Sequence, residues 1–256
     1  DHKKAPQQGK NVAVKGDLGQ SAAGKTDKNG ELTVPEVEQT ERHGVYIVGY
    51  TDGTFGPSRS MTRSEAAAIF ARLLAEKNGD TISTAANTKF TDIPAHAWYS
   101  GYVKYLSNNG ITYGKSKTVF APNDAITRAE FTTMAVRFFD VYGSGDAEIV
   151  EQFSGINDVC SGYWAAEYIK YAALHGWING YGDGSFHADR EINRAEVVTI
   201  VNRLLGREAD EDYIADNLRK LNTFPDVTKR HWAYYAVMEA ANAHTAVLGE
   251  SESWSK

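Results

Sequence analysis

One short word occurs three times in this chain, and its spacing restricts the possible folds more than any other feature. Met61-Thr62-Arg63-Ser64-Glu65-Ala66, Ile126-Thr127-Arg128-Ala129-Glu130-Phe131 and Ile192-Asn193-Arg194-Ala195-Glu196-Val197 superimpose without gaps. Their arginines stand 65 residues apart (63 to 128) and then 66 (128 to 194). Each word follows a loop with a common ending: Phe55-Gly56-Pro57, Phe120-Ala121-Pro122 and Phe186-His187-Ala188. A second element repeats out of phase with the first. Phe90-Thr91-Asp92-Ile93 leads to Trp98, Ile156-Asn157-Asp158-Val159 to Trp164, and Phe224-Pro225-Asp226-Val227 to Trp232. A fixed period of this kind marks a unit that cannot bury its apolar face alone and must pack on its own copies.

The element carrying the arginine, the back half, begins a helix. Thr62 and Thr127 stand three residues before Glu65 and Glu130, the capping-box pattern, and Asn193 with Glu196 serves equally. Ala66/Ile69/Phe70/Leu73, Phe131/Met134/Ala135/Phe138 and Val197/Ile200/Val201/Leu204 follow at i, i+3, i+4, i+7, one buried stripe per helix. The element carrying the tryptophan, the front half, is expected to be helical too, from Trp98/Tyr102/Tyr105/Leu106 and Trp164/Tyr168/Tyr171/Ala172. Gly110 and Gly176 sit where a left-handed residue stops a helix. A turn rich in Gly and Asp joins the halves, Gly49-Tyr50-Thr51-Asp52-Gly53 in one copy and Gly180-Tyr181-Gly182-Asp183-Gly184 in another. The expected fold class is therefore all-α.

A Trp-led helix, a Gly-Tyr-x-Asp-Gly-x-Phe loop and a second helix opening on Thr-Arg-Ala-Glu resemble the S-layer homology (SLH) domain over residues 45 to 247. The resemblance implies three pseudo-symmetric helix-loop-helix repeats around a central bundle of second helices, with grooves between neighbours. It further implies a non-catalytic module at the bacterial cell surface that anchors a protein to the wall. The partner implied is a secondary cell-wall polysaccharide, often ending in a sugar with a pyruvate ketal, and the cargo is an upstream passenger domain in the same polypeptide. An assembly module making protein contacts in a surface lattice is the alternative reading.

The copies are not three plain repeats in a row. The chain opens on a back half (46 to 75), runs through two whole repeats (90 to 140 and 156 to 205) and closes on a front half (222 to 247). We expect the two terminal halves to complete a third repeat non-covalently within a module spanning 46 to 256. Otherwise each half would expose an apolar stripe, at roughly 25 cal/mol per Å² of surface. Residues 1 to 45 hold no Phe, Trp or Tyr, and their seven acidic and seven basic side chains cancel, so they read as a flexible linker or tail. Any export signal is expected to have been removed or to lie outside this sequence. With 27 Lys+Arg against 33 Asp+Glu, the chain has no footprint of a nucleic-acid binder, and no apolar run is long enough to insert in a membrane.

A carboxylate on a sugar suits an arginine fork together with free N–H groups at a helix start. Arg63, Arg128 and Arg194 occupy that place three times, although a cation there is unfavourable for the helix itself. The alternative partner for each is a loop acid, Asp52 or Asp183. Trp98, Trp164 and Trp232 are candidates for stacking on sugar faces, but a Trp on a helical stripe more commonly belongs to the core. Gly53 and Gly184 serve turn geometry first and close approach of a ligand second. The middle loop reads Gly114-Lys115-Ser116-Lys117, without the Tyr and Asp-Gly of its neighbours, and leaves open whether its lysines face a groove.

No cofactor is expected. The seven histidines form no short ligand spacing, so no metal site is expected from them. Residues 25 to 36 resemble a calcium loop, but Lys25 stands at the first ligand position. Asp92, Asp158 and Asp226 read as turn or cap formers. Cys160, the single cysteine, reads as a half-buried inert thiol.

Overall fold

A computed structural model of the chain describes residues 25–26, 32–33, 39–143, 156–248 and 252–255. The chain divides into two compact units, residues 1–38 and 39–256. In the first, β1 (Lys25–Thr26) pairs antiparallel with β2 (Leu32–Thr33), Lys25 opposite Thr33. The remainder of the calcium-like stretch lies outside the described residues.

The second unit holds β3 (Gln39–His43), α1 (Arg63–Asn78), α2 (Ser100–Asn108), α3 (Arg128–Tyr142), α4 (Ala166–Leu174), α5 (Arg194–Leu205), α6 (Glu211–Asn217), α7 (Tyr234–Ala241), β4 (His244–Leu248) and β5 (Ser253–Ser255). The fold is largely helical. Its one departure from all-α is a small antiparallel sheet of order β3-β4-β5, with His43 opposite His244 and Gln39 opposite Leu248. Strand β3 also moves the boundary of the folded unit from the expected residue 46 to residue 39. Pairing there uses backbone groups, and four of its five side chains are exposed, so composition carries no sign of it.

Local chemistry starts the inner helices where the sequence placed them. Thr62, Thr127 and Asn193 each accept the third backbone N–H of their helix, and Glu65, Glu130 and Glu196 return the bond to the cap backbone. Gly79, Gly143 and Gly206 end these helices at φ 69°, 66° and 66°, conformations that only Gly adopts without strain. All twelve stripe residues are buried, and Phe70 packs between Phe131 and Phe138 at ring separations of 5.3 and 4.9 Å. Each of the larger side chains, Leu, Ile, Val, Met or Phe, contributes roughly 1.5–3 kcal/mol by leaving water.

A closed backbone circuit ties the three copies together. Ile126 N–H donates to Met61 O (2.9 Å), Ile192 N–H to Ile126 O (3.0 Å), and Met61 N–H to Ile192 O (3.0 Å). Outer helices α2, α4 and α7 pack on α1, α3 and α5 respectively. Each outer helix thus leans on the preceding repeat, while the Asp before it grips the loop of its own. Asp92 accepts from Phe120 N (2.9 Å) and Ala121 N (2.6 Å), and Asp158 accepts from Phe186 N and His187 N. Asp226 takes Phe55 N (2.9 Å) and Gly56 N (2.7 Å) across 170 residues of sequence. Phe224 lies 5.3 Å from Phe55, as Phe90 lies 5.4 Å from Phe120. The two terminal halves therefore meet through the contacts used inside the continuous repeat.

The charged stretch after residue 207 folds as α6, capped by Asp210 on Tyr213 N and anchored by buried Ile214. Cys160 is exposed, not half-buried, because it lies in the loop before α4.

Candidate functional site

Three grooves follow from the three-fold arrangement, each built from the same parts. The inner-helix arginine of one repeat reaches the loop of the next. Arg63, Arg128 and Arg194 donate through Nε to the carbonyls of Phe120, Phe186 and Phe55, each at 2.8 Å. Their guanidinium carbons stand 5.0, 4.4 and 4.7 Å from the centres of those Phe rings. Burial pulls all three guanidinium pKa values below their ordinary level, opposed by nearby acidic groups such as Glu130 for Arg63. Arginine nevertheless stays charged at any physiological pH.

A cavity opens beside each arginine. The first, about 240 Å³, is lined by Tyr50, Glu65, Arg72, Trp98 and Arg194 among others. The second, about 260 Å³, includes Arg63, Tyr113, Lys115, Glu130, Arg137 and Trp164. The third, about 190 Å³, includes Arg128, Tyr181, Glu196, Arg203 and Trp232. The structure therefore brings each expected arginine into one groove with an expected tryptophan from another repeat.

The tryptophans are 54%, 57% and 66% exposed, so the core reading of Trp98, Trp164 and Trp232 is corrected. The physical reason is position. Helices α2, α4 and α7 start two residues after each Trp, so the indole sits on the preceding turn and escapes the buried helical face.

Two further expectations change. The N–H groups at the helix starts are not free for a ligand. Arg63 and Ser64 donate theirs to the carbonyls of Asp124 and Pro122, Arg128 and Ala129 to Arg190 and Ala188, and Arg194 and Ala195 to Arg59 and Pro57. Nor do the loop acids pair with the arginines. Asp52 accepts from the backbone N–H (2.9 Å) and hydroxyl (2.7 Å) of Thr54, and Asp183 from those of Ser185 at 2.9 and 2.6 Å. Those bonds hold both carboxyls below the usual range. Asp52, Gly53, Asp183 and Gly184 shape the loop tip, with Gly53 at φ 82° and Gly184 at φ 80°, and line none of the three cavities.

The carboxylate partner is instead the capping-box glutamate of the next repeat. Arg63 Nη1 lies 3.3 Å from Glu130 Oε1, and Arg128 Nη1 lies 3.2 Å from Glu196 Oε1. Lys115 does face its groove and reaches the same Glu130 oxygen at 2.7 Å, standing where the other copies have Tyr50 and Tyr181. Burial by itself raises Glu130, but Lys115, the Thr127 N–H and Arg63 together hold it below the usual carboxylate range. In the third groove Tyr181 donates to Glu196 at 3.0 Å, and Arg190 contacts both. In the first, Arg194 Nη2 turns to the Val48 carbonyl (2.6 Å).

Sequence reasoning passed over a second arginine nine residues after the first: Arg72, Arg137 and Arg203. That constant offset was the available signal. These side chains line the grooves with donors less committed than those of the first set. Arg137 reaches the Tyr168 hydroxyl (3.2 Å) and lies over the Tyr113 ring (4.8 Å), Arg72 lies over the Tyr102 ring, and the Arg203 side chain has no hydrogen-bond or ion-pair partner among the described residues. Each groove thus sets two arginines against one glutamate, with Lys115 an added cation in the second. The grooves are locally cationic in a chain of net charge −6.

The family described as S-layer homology domain matches residues 33–67, 89–132 and 156–198. Among curated relatives, "Cell surface glycoprotein 1" of Acetivibrio thermocellus is 33% identical over 217 residues, 82% of this chain and 9% of the relative. The "Cellulosome-anchoring protein" of the same organism is 31% identical over 235 residues, 90% of this chain and 49% of the relative. An "S-layer protein" of Bacillus licheniformis is 29% identical over 155 residues, 60% of this chain and 17% of the relative. The chain spans half or less of the length of each of these relatives.

Proposed function

We propose, from the premise that this chain belongs to the S-layer homology domain family, that it is a non-catalytic carbohydrate-binding module whose grooves hold an acidic terminal sugar of a secondary cell-wall polysaccharide. As a member of that family it is a wall-anchoring module of the bacterial cell surface, and no helix among the described residues is long and apolar enough to cross a membrane. The observation that carries the finer reading is the make-up of each groove: two arginines, one glutamate and an exposed tryptophan.

That set suits a sugar bearing a carboxylate, such as a pyruvate ketal. Arg72, Arg137 and Arg203 have N–H groups to donate to the anion, and a charge-assisted pair is roughly twice as strong as a neutral hydrogen bond. The half-exposed indole offers an apolar face to the ring. Arg63, Arg128 and Arg194 form the cationic floor and hold the loop in place. A glycoside hydrolase sets two carboxylates across the scissile bond, whereas each groove is lined by one. A longer protein carrying this module as its anchor is the setting that the named relatives suggest.

The test is co-sedimentation with purified wall sacculi carrying a pyruvylated secondary polymer. Retention should disappear when the polymer is stripped by acid, and should fall in steps as Arg72, Arg137 and Arg203 are changed to Gln. Trp98→Ala, Trp164→Ala and Trp232→Ala should each weaken binding by about 2–10-fold, from roughly 0.5–1.5 kcal/mol of stacking. Retention indifferent to the triple arginine change would discard the groove assignment. Self-association without any wall would favour a lattice-assembly role instead.

A further inference from the structure

Away from the grooves, where the chain's two ends are sewn together, four ionisable side chains converge. His43 ends β3, Glu239 lies on α7, His244 begins β4, and Glu252 immediately precedes β5. His43, Glu239 and His244 are 2%, 1% and 6% exposed. One donor atom from each of the four lies within 4.8 Å of all the others.

The geometry within the cluster is close to regular. His43 Nδ1 is 3.2 Å from His244 Nε2, 3.2 Å from Glu239 Oε1 and 3.3 Å from Glu252 Oε1. His244 Nε2 is 3.3 Å from Glu239 Oε2 and 3.3 Å from Glu252 Oε1. Ligands held about 2.0–2.1 Å from a tetrahedral zinc ion stand about 3.3–3.4 Å from one another. With either Glu239 oxygen taken as the fourth vertex, four of the six edges of such a tetrahedron therefore have almost that length, since Glu239 presents a different oxygen to each histidine.

Protons satisfy this arrangement poorly. The two ring nitrogens face each other at 3.2 Å, so they cannot both carry a proton without conflict, and a single proton between them must serve two carboxylates. Both Glu239 oxygens are buried without a hydrogen bond, although imidazole nitrogens lie 3.2–3.3 Å away. Arg207, buried nearby, makes no ion pair with either glutamate among the described residues. The outer shell is also in place. His244 Nδ1 lies 3.0 Å from the Asn242 carbonyl, which fixes the tautomer whose Nε2 lone pair points into the cluster. Trp254 stacks on the same ring at 3.8 Å, and the two imidazoles are nearly perpendicular, at 78°.

We infer that His43, Glu239, His244 and Glu252 form a closed structural site for one divalent transition-metal ion of the zinc type, joining the N-terminal strand to the C-terminal segment. Two imidazoles and two carboxylates form a borderline donor set that suits zinc better than magnesium or calcium, and the two carboxylates neutralise the ion. With every ligand from the protein and the cluster buried, its role is closure of the ring and not catalysis. The inference is independent of what the grooves bind.

The test uses the full chain, purified, stripped with a chelator and titrated with zinc chloride. One zinc per chain should remain after gel filtration, measured by inductively coupled plasma mass spectrometry. At zinc one hundred times its Kd the thermal midpoint should rise by about 5–10 °C, and the chelator should reverse the rise. Cobalt(II) in the unmutated chain should give the intense visible absorption of a tetrahedral complex, a readout that needs no variant to fold. The Glu239→Gln and His43→Gln chains should lose the zinc-dependent rise. A folded wild-type chain that holds no zinc, with a midpoint indifferent to zinc and chelator, would overturn the site and leave a proton-shared ion-pair cluster. Equal zinc retention in the His43→Gln/His244→Gln double variant would overturn it too, placing the metal elsewhere.

Discussion

Asp226→Ala removes the carboxylate by which the C-terminal half grips the loop of the N-terminal half. It deletes two hydrogen bonds to a charged acceptor, at 2.9 and 2.7 Å, and strands the N–H of Phe55, a fully buried residue. Bonds of this type contribute about 1.5–3 kcal/mol each in protected settings. Water can reach Asp226 itself, so about 2–3 kcal/mol for the pair is the reasonable sum. For a folded unit of this size that lowers the thermal midpoint by about 5–10 °C. The control is Asp92→Ala, which removes the matching bonds to Phe120 and Ala121 inside a covalently continuous repeat. Urea unfolding followed by far-UV circular dichroism, with calorimetry alongside, should give the two variants the same loss. If Asp226→Ala melts like the unaltered chain while Asp92→Ala does not, the terminal halves contribute nothing to cooperativity and the closed-ring account fails.

Other outcomes follow from the same geometry. Asp92, Asp158 and Asp226 are held below their ordinary pKa because the backbone N–H groups of the loops outweigh the opposing effect of burial. A folded-state pKa below the unfolded one means the unfolded chain binds more protons, so this stabilisation is complete above about pH 4 and is lost as pH falls through the lowered values. Acid titration of the Asp92→Asn/Asp158→Asn/Asp226→Asn chain should therefore be shallower below pH 4 than that of the unaltered chain. Arg63→Met leaves the Phe120 carbonyl and part of the Glu130 charge without a buried partner, and should cost about 3–5 kcal/mol in urea. Arg137→Gln, at the groove surface, should stay within about 1 kcal/mol, separating the structural arginine from the one assigned to the ligand. Ala121 sits at φ 59°, where its pseudo-equivalent is Gly56 at φ 68°. The left-handed conformation costs a residue with Cβ about 1–2 kcal/mol, so Ala121→Gly should raise the urea midpoint, by up to about 1 kcal/mol after the entropy of glycine is subtracted.

The inner helices were readable because their determinants are local. Thr62 and Glu65 bond within one helical turn, Phe131 and Phe138 fall on one helix face two turns apart, and their spacing is the same in the folded and unfolded chain. The grooves were half readable. Arg63, Arg128 and Arg194 stood out by repetition, but their true partners, the Phe carbonyls and the capping glutamates, lie 57 to 139 residues away. The tryptophans were misread because two residues decide whether an indole starts a helix or sits on the turn before it, and element ends are the least certain part of any pattern.

Order, period, caps and stripes were thus settled along the chain, where neighbours in sequence are neighbours in space. Which repeat's arginine meets which loop, and how β3 finds β4, arises only once the ring has closed. The convergence of His43 on Glu239, His244 and Glu252 is the clearest case. A distance of 196 residues carries no periodicity, and only backbone pairing of the two ends brings those donor atoms within reach of one ion.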